Sequence, residues 1–212
     1  ITTAAKCRNL EILNLLIAAG ANLDTADHKG YTALSYASSA GQIELVKALL
    51  NGGAQANLGN YDEVPLHLAA ENDYTEVVQT LLDGGADVNK AMTTGETPLF
   101  IASERGLTDM AGLLIERGAD VNKATNKGAT PLYIAACMGR DRLTRSLLID
   151  YGADTEITDN LGNTALSKAA CHGRLSTVRL LLEAGADPTN ANGEGYEPLH
   201  TAASLNHLEV VS

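Results

Sequence analysis

The sequence predicts an all-α solenoid, built from short helix-turn-helix units that stack on one another and are joined by extended hairpin loops. Three markers recur along the 212 residues at intervals of 32 to 34 residues. The first is Gly-Ala, which occurs at 20–21, 53–54, 85–86, 118–119, 152–153 and 185–186. The second is a Leu-Leu pair before each Gly-Ala, and the third is a Thr-Pro-Leu tripeptide or a close variant of it. Because three markers share one period, they indicate a repeated structural unit.

Residues 97–122 show how each unit is expected to fold. Thr97 is suited to cap a first helix, and Pro98 suits its first turn, where a missing N–H costs nothing. Gly106 ends this helix, since glycine readily adopts the left-handed conformation that follows many helices. A second helix, apolar at helical spacing, ends at Gly118. One helix pair cannot bury its own apolar face, so the units are expected to stack.

The composition supports such an array and excludes several classes of function. Hydrophobic residues make up 45% of the chain but aromatic residues only 4%, and Ala and Leu together supply 63 residues. Both favour helices. The net charge of −11 disfavours nucleic acid and anionic membrane surfaces, because both bind proteins through Lys and Arg. No apolar run approaches the ~20 residues that cross a bilayer, so membrane insertion is not expected.

The units resemble ankyrin repeats. That family's pattern has a Thr-Pro-Leu-His opening, paired alanines and a Leu-Leu-x-x-Gly-Ala-Asp-x-Asn ending, and residues 95–122 and 128–154 match it closely. The resemblance covers the whole chain as a single ankyrin-repeat domain, and it implies an ankyrin-repeat solenoid with a protein-binding role. The repeats that we assign are 1–26, 27–59, 60–91, 92–124, 125–158, 159–191 and 192–212.

Some positions depart from the repeat pattern. Arg8, Asp73 and Asn206 replace the glycine between the two helices, and Asp and Asn tolerate the left-handed conformation better than Arg does. The chain begins at Ile1 rather than Met, and both ends cut through a repeat. We therefore expect it to be a segment of a longer protein.

Two repeats depart from the regular length. Repeat 60–91 lies one residue closer to its predecessor, which predicts a shortened loop. Repeat 125–158 has one extra residue, which we place between Gly139 and Leu147. These are the two places where the regular geometry is expected to change.

Asn89 and Asn122 end the Gly-Ala-Asp-Val-Asn segment of their repeats. Asparagine side chains commonly hydrogen-bond the backbone in turns. We therefore expect each of them to bond its loop to the neighbouring loop.

No constellation typical of catalysis or metal binding occurs, so the sequence predicts no enzymatic activity, no cofactor and no metal site. His67 and His200 share one repeat position, and the resemblance implies that they bond the backbone and hold one unit to the next. Cys137 and Cys171 occupy equivalent positions on adjacent units. Helices that pack about 8–10 Å apart hold such residues beyond disulfide reach, and Cys7 is farther still. We expect free thiols and a reducing, cytoplasmic location.

The residues that vary between repeats predict the binding surface. In repeats of this kind, the loop tips and the first, inner helices line one concave face. Structural positions keep their chemistry from repeat to repeat, whereas the positions on this face do not. The partner-binding residues that this comparison selects are Tyr31, Tyr61, Glu63, Glu71, Glu96, Glu104, Arg105, Met138, Leu161, His172 and Tyr196.

Charge is unevenly distributed along this predicted face. Residues 62–104 contain nine acids and one base, whereas residues 105–179 contain ten bases and eight acids. The acidic segment is either an ordinary solvated surface or a binding site for a Lys- or Arg-bearing segment of a partner. Tyr31, Tyr61 and Tyr196 are candidate apolar anchors, because Tyr is enriched at interaction hot spots.

Two classes of function are consistent with these features. The first is a non-enzymatic protein-protein interaction module that presents its concave face to a protein or peptide partner. A stacked array would lose little conformational entropy on binding. The second is the recognition arm of a larger enzyme, channel or toxin whose activity lies outside this segment.

Overall fold

The computed structural model describes residues 1–59 and 64–211, and within these ranges the regular secondary structure is entirely helical. The chain divides into two compact units, unit 1 (residues 1–93) and unit 2 (residues 94–212). The helices of unit 1 are α1 (Thr2–Lys6), α2 (Leu10–Ala18), α3 (Ala33–Ser39), α4 (Ile43–Asn51), α5 (Pro65–Glu71) and α6 (Thr75–Asp83). The helices of unit 2 are α7 (Pro98–Arg105), α8 (Thr108–Glu116), α9 (Pro131–Met138), α10 (Asp141–Ile149), α11 (Ala165–Cys171), α12 (Leu175–Glu183), α13 (Pro198–Ser204) and α14 (Leu208–Val211).

The helices of each unit stack in two rows. In unit 1, α1, α3 and α5 contact one another in succession, as do α2, α4 and α6. In unit 2, the first-helix row is α7, α9, α11 and α13, and the second-helix row is α8, α10, α12 and α14. The leucine in the first turn of each first helix is at most 2% exposed from Leu34 to Leu166. Within the described residues, no helix has the length and apolarity needed to span a bilayer.

Threonine caps start most of the first helices, as the sequence predicts. The hydroxyl oxygen of Thr97 accepts the amide of Phe100 at 3.2 Å, and Thr130 accepts the amide of Tyr133 at 3.1 Å. This satisfies a backbone donor that a helix start otherwise leaves unpaired. The shortened loop predicted for repeat 60–91 includes residues 60–63, which lie outside the described residues.

The left-handed turn between the two helices is kept where glycine is replaced. The backbone φ is 57° at Arg8, 59° at Asp73 and 61° at Asn206, close to the 76° at Gly106. Stacking thus imposes this conformation even on arginine, which has no side-chain preference for it.

The extra residue of repeat 125–158 lies in the turn after α10, so its predicted position between Gly139 and Leu147 is wrong. Like α8, α10 has nine residues. In the turn after it, the amide of Ala153 donates to the carbonyl of Leu147 at 2.8 Å. The donor and the acceptor of this bond are one residue farther apart along the chain than in the neighbouring repeats. An extra residue inside α10 would rotate Leu143 and Leu147 out of the core, whereas a surface turn accommodates it.

Neighbouring hairpin loops are joined by side-chain-to-amide bonds within each unit. In unit 1, Asn57 accepts the amide of Asp87 at 2.7 Å. In unit 2, Asn122 accepts the amide of Asp154 at 3.0 Å, which confirms the role predicted for Asn122. The bond predicted for Asn89 stays a prediction.

The two histidines of the shared repeat position differ. His67 is completely buried in α5. His200 is exposed, and its Nδ1 accepts the amide of Glu197, the residue that precedes its own helix, at 3.2 Å. This bond is to the backbone, as the resemblance implies, and the link from His200 to a neighbouring repeat stays a prediction.

Candidate functional site

The predicted partner-binding residues are distributed over both units. Unit 1 contains Tyr31 and Glu71. Tyr61 and Glu63 lie outside the described residues. The predicted residues of unit 2 are Glu96, Glu104, Arg105, Met138, Leu161, His172 and Tyr196.

Tyr31 lies at a loop tip of unit 1, against Tyr36 of α3. The two rings stack with their centroids 4.9 Å apart and an interplanar angle of 28°. The hydroxyl of Tyr36 donates to Oδ2 of Asp27 at 2.7 Å, and this bond is the main cause that holds the pKa of Asp27 below its ordinary value. Tyr31 is therefore half-buried, in a loop tip that ring stacking and hydrogen bonds hold in place. It is not a freely exposed apolar anchor.

Glu71 is the last residue of α5, and it is partly exposed. The side-chain amide of Asn72 donates to the carbonyl of Leu68 at 2.8 Å and closes the helix end. The left-handed Asp73 follows. Glu71 thus stands at a rigid helix terminus.

Glu96 and Glu104 stand at opposite ends of α7 in unit 2. Glu96 precedes the capping Thr97 and is partly exposed, whereas Glu104 is exposed in the last turn. A helix of eight residues separates them by about 12 Å. Glu71 lies in unit 1 whereas Glu96 and Glu104 lie in unit 2, and their grouping as one acidic binding site stays a prediction.

Three predicted residues line one depression in unit 2. Glu104 and Arg105 end α7, Met138 ends α9, and together with Arg140 they enclose about 340 Å³. Nε of Arg140 donates to the carbonyl of Glu104 at 3.0 Å. Met138 is 37% exposed. The depression therefore combines one acidic, two basic and one apolar side chain.

His172 lies next in this row, at the end of α11, and it contacts Cys137. Its Nδ1 is 2.9 Å from the carbonyl of Lys168 and 3.7 Å from Sγ of Cys137. Burial raises the pKa of the Cys137 thiol. All three cysteines are free, which confirms that expectation. Among the described residues, no group of three or more His, Cys, Asp and Glu side chains could hold a metal ion.

A groove of unit 2 lies between α11, α13 and the two loop tips that precede them, and it encloses about 650 Å³. Two predicted residues belong to it, Leu161 at 70% exposure and Tyr196 at 52%. The backbone joins their tips, because the amide of Gly193 donates to the carbonyl of Leu161 at 2.8 Å. The residues that line the groove are Asn160, Leu161, Gly162, Asn163, Ser167, Lys168, Cys171, Asn192, Gly193, Glu194, Tyr196, Thr201 and Ser204.

Beneath this groove, Asp159 is the centre of a hydrogen-bond network. Its Oδ2 accepts the hydroxyl of Tyr133 at 2.6 Å, and its Oδ1 accepts the amides of Leu161 at 2.9 Å and Asn163 at 2.8 Å. Burial disfavours the charged form of Asp159, but the bonds from Tyr133, Asn163 and Leu161 outweigh burial and lower its pKa. Burial, followed by the bond to Asp159, raises the pKa of Tyr133.

Lys168 lies beside this network and lines the groove, and the sequence prediction of binding residues omits it. Its Nζ is 4.0 Å from Oδ2 of Asp159 and 6.0 Å from the centroid of the Tyr133 ring. The signal that could have identified it is the repeat alignment. Lys168 stands where two preceding first helices have Ile101 and Ile134.

The family comparison covers the whole chain. A family model described as ankyrin repeats, three copies, matches residues 1–92, 66–159 and 142–212. A solved structure titled as the ankyrin repeat domain of Bcl-3, a unique member of the IkappaB protein family, is 27% identical. It matches with a TM-score of 0.86 over 99% of this chain and 96% of that chain.

Curated relatives match over shorter segments. The E3 ubiquitin-protein ligase KEG of Arabidopsis thaliana is 35% identical over 37% of this chain, and the Ankyrin repeat and SOCS box protein 5 of Oryctolagus cuniculus is 36% identical over 42%. The Potassium channel AKT2/3 of Arabidopsis thaliana is 43% identical over 24% of this chain. The matched segments span 5%, 27% and 6% of those proteins, respectively.

Proposed function

The chain belongs to the ankyrin repeat family, and from that premise we propose that it binds a protein or peptide partner through its first helices and loop tips, without enzymatic activity of its own. Ankyrin repeats are protein-protein interaction modules. The observation that carries the proposal is the clustering in unit 2. There, Glu104, Arg105 and Met138 share one depression, while Leu161 and Tyr196 border the groove between α11 and α13.

The hydrogen bonds of unit 2 support a preorganised surface. The tips are joined to one another by backbone bonds, such as that from the amide of Asn160 to the carbonyl of Lys127 at 2.9 Å. The Asn122 and Asp154 bond joins the bases of neighbouring loops. Groups that are already ordered lose little conformational entropy when a partner binds, so more of the contact energy appears as affinity.

We further propose that the partner presents a basic segment to Glu71, Glu96 and Glu104. The finding in support is the charge of the chain, with nine acids and one base between residues 62 and 104. Charge complementarity increases the association rate more than the lifetime of a complex, and salt screens it. The free cysteines support a reducing, cytoplasmic location as part of the same proposal.

Partner capture identified by mass spectrometry tests the proposal, with Glu71, Glu96 and Glu104 each changed to Lys. We expect the triple variant to lose the wild-type partner set and to reverse its salt dependence. If the partner set and its salt dependence are unchanged, the acidic residues are ordinary solvated surface.

A matched control separates local from global charge. Changing Glu11, Glu116 and Glu183 to Lys alters the net charge by the same amount, but these exposed residues lie on second helices. We expect this control variant to retain the partner set. Equal losses in the two variants would assign the effect to net charge rather than to the proposed surface.

The alternative is a recognition arm of a larger enzyme or channel. Two of the relatives are named as a ubiquitin ligase and a potassium channel, and in each the matched segment is a small part of the protein. Sequencing the complete reading frame that contains this chain distinguishes the two proposals. A catalytic or channel domain in that frame favours the recognition arm, and a frame made of repeats alone excludes it.

A further inference from the structure

We propose that the groove between α11 and α13 receives an extended segment of the partner and pairs one Asp or Glu carboxylate of that segment with Lys168. The inference rests on the proposed function and specifies the chemistry of the partner at one place. Three observations carry it: the repeat position of Lys168, the hydrogen bonds that its ammonium group lacks, and the composition of the groove.

The position of Lys168 is apolar in the two preceding repeats of unit 2, and it holds Thr201 in the repeat that follows. Ile101 and Ile134 stand there on the two preceding first helices, and Ile101 is 6% exposed. The Lys168 side chain is 25% exposed. A charged side chain that is partly buried, at a position that holds isoleucine in two other repeats, loses part of its hydration, and a bonded counter-ion compensates that loss.

The described residues provide no hydrogen-bond acceptor for this ammonium group. Oδ2 of Asp159, at 4.0 Å, is too far from the ammonium group for a hydrogen bond. The oxygens of Asp159 already accept bonds from Tyr133, Leu161 and Asn163. Across the described residues, no protein acceptor lies within hydrogen-bond distance of Nζ of Lys168, which has three donors to offer. A carboxylate in the groove would meet them with charge-assisted bonds.

The rest of the groove suits the main chain and an apolar neighbour of that carboxylate. The exposed hydroxyl of Ser204 donates to the carbonyl of Thr201 at 2.9 Å, so its oxygen can still accept an amide N–H group from a bound segment. Leu161 and Tyr196 offer exposed apolar surface at the rim. Among the described residues that line the groove, Glu194 is the only acid; it is exposed at the last tip and opposes the binding of a carboxylate.

A positional-scanning array of synthetic peptides tests this assignment directly. Each position of a short extended peptide is varied over the twenty amino acids, and binding is measured for the wild type, Lys168→Ile and Lys168→Arg. The isoleucine variant introduces the residue of the two preceding repeats, so it should fold, and circular dichroism checks that it does.

The wild type and Lys168→Arg should select Asp or Glu at one position, with an apolar residue favoured close to it. Exchanging that acid for its amide should weaken binding about tenfold in the wild type and leave Lys168→Ile unaffected, since a hydrogen bond to a charged group contributes at least about 1.4 kcal/mol. Glu194→Gln should strengthen the acid preference, whereas Glu183→Gln on α12 should not.

The inference is overturned if the wild type shows no acid preference, including the case where it binds no peptide. It is equally overturned if Lys168→Ile keeps the wild-type preference. Partner capture distinguishes this failure from that of the proposed function. If the wild type captures a partner and Lys168→Ile captures it with equal affinity, the proposed function stands without the Lys168 contact, whereas a wild type that captures no partner contradicts the proposed function itself.

Discussion

Replacing Tyr133 by Phe should destabilise unit 2 through the loss of a single hydrogen bond. The hydroxyl of Tyr133 donates to Asp159 at 2.6 Å and thereby joins α9 to the following loop tip. Phenylalanine keeps the aromatic ring, and with it the contact of Lys168 Nζ at 6.0 Å from the centroid. The substitution therefore isolates the contribution of the hydroxyl group.

The structure sets the expected magnitude. A hydrogen bond to a charged group contributes about 1.5–3 kcal/mol, and one between neutral groups about 0.5–1.5 kcal/mol. The side chain of Asp159 is only 9% exposed, so water replaces the lost donor poorly. We expect Tyr133→Phe to lower the free energy of unfolding by about 2 kcal/mol at pH 7.

This cost should depend on pH. The folded-state pKa of Asp159 is lowered, so the stabilisation from its charged form is present above the ordinary value of 3.8 and is lost as the pH falls through the folded value. Below that value, the cost of Tyr133→Phe should approach about 1 kcal/mol. The pKa of Tyr133 is raised, so above its ordinary value of 10.0 the wild type should also lose stability that the Phe variant does not lose.

Urea unfolding followed by circular dichroism measures these differences, with Asp159→Asn completing a double-mutant cycle. Tyr151→Phe is the matched control, because no hydrogen bond to the Tyr151 hydroxyl occurs within the described residues, and this control should change little. The reasoning would be refuted by a coupling energy between Tyr133 and Asp159 below about 0.5 kcal/mol, or by a cost that does not change with pH.

Two further predictions concern the turns and the thiols. Gly106 and Gly20 have nearly equal φ, 76° and 74°, but an added Cβ would lie 2.7 Å from Cδ of Arg140 at Gly106 and would meet nothing within 4 Å at Gly20. Gly106→Ala should therefore lower the free energy of unfolding, measured in urea, by about 1 kcal/mol more than Gly20→Ala does, because Arg140 loses a hydrogen bond. Equal losses in the two variants would contradict this. Because Cys7 is exposed and burial raises the pKa of Cys137, iodoacetamide at pH 8 should alkylate Cys7 several-fold faster by mass spectrometry. An equal or faster rate at Cys137 would contradict the assigned burial.

The local features of this protein follow from its sequence. The cap at Thr97, the proline start and the left-handed turn at Gly106 depend on residues within one or two helical turns of each other, so the repeat pattern reports them directly. Burial of the recurring leucines follows from helical periodicity. Even the left-handed turns at Arg8, Asp73 and Asn206 could be inferred, because every ankyrin repeat of the stack has the same backbone geometry.

What the tertiary structure decided concerns residues that are distant along the chain. Tyr133 and Asp159 are 26 residues apart, and only stacking brings the hydroxyl to the carboxylate. The same holds for the groove that Lys168, Leu161 and Tyr196 line together. The extra residue of repeat 125–158 lies in the turn after α10 because core packing holds the register of the helix, a constraint that residue spacing alone does not reveal. The sequence therefore determined the structure of the single repeat, whereas packing between neighbouring repeats decided which side chains meet.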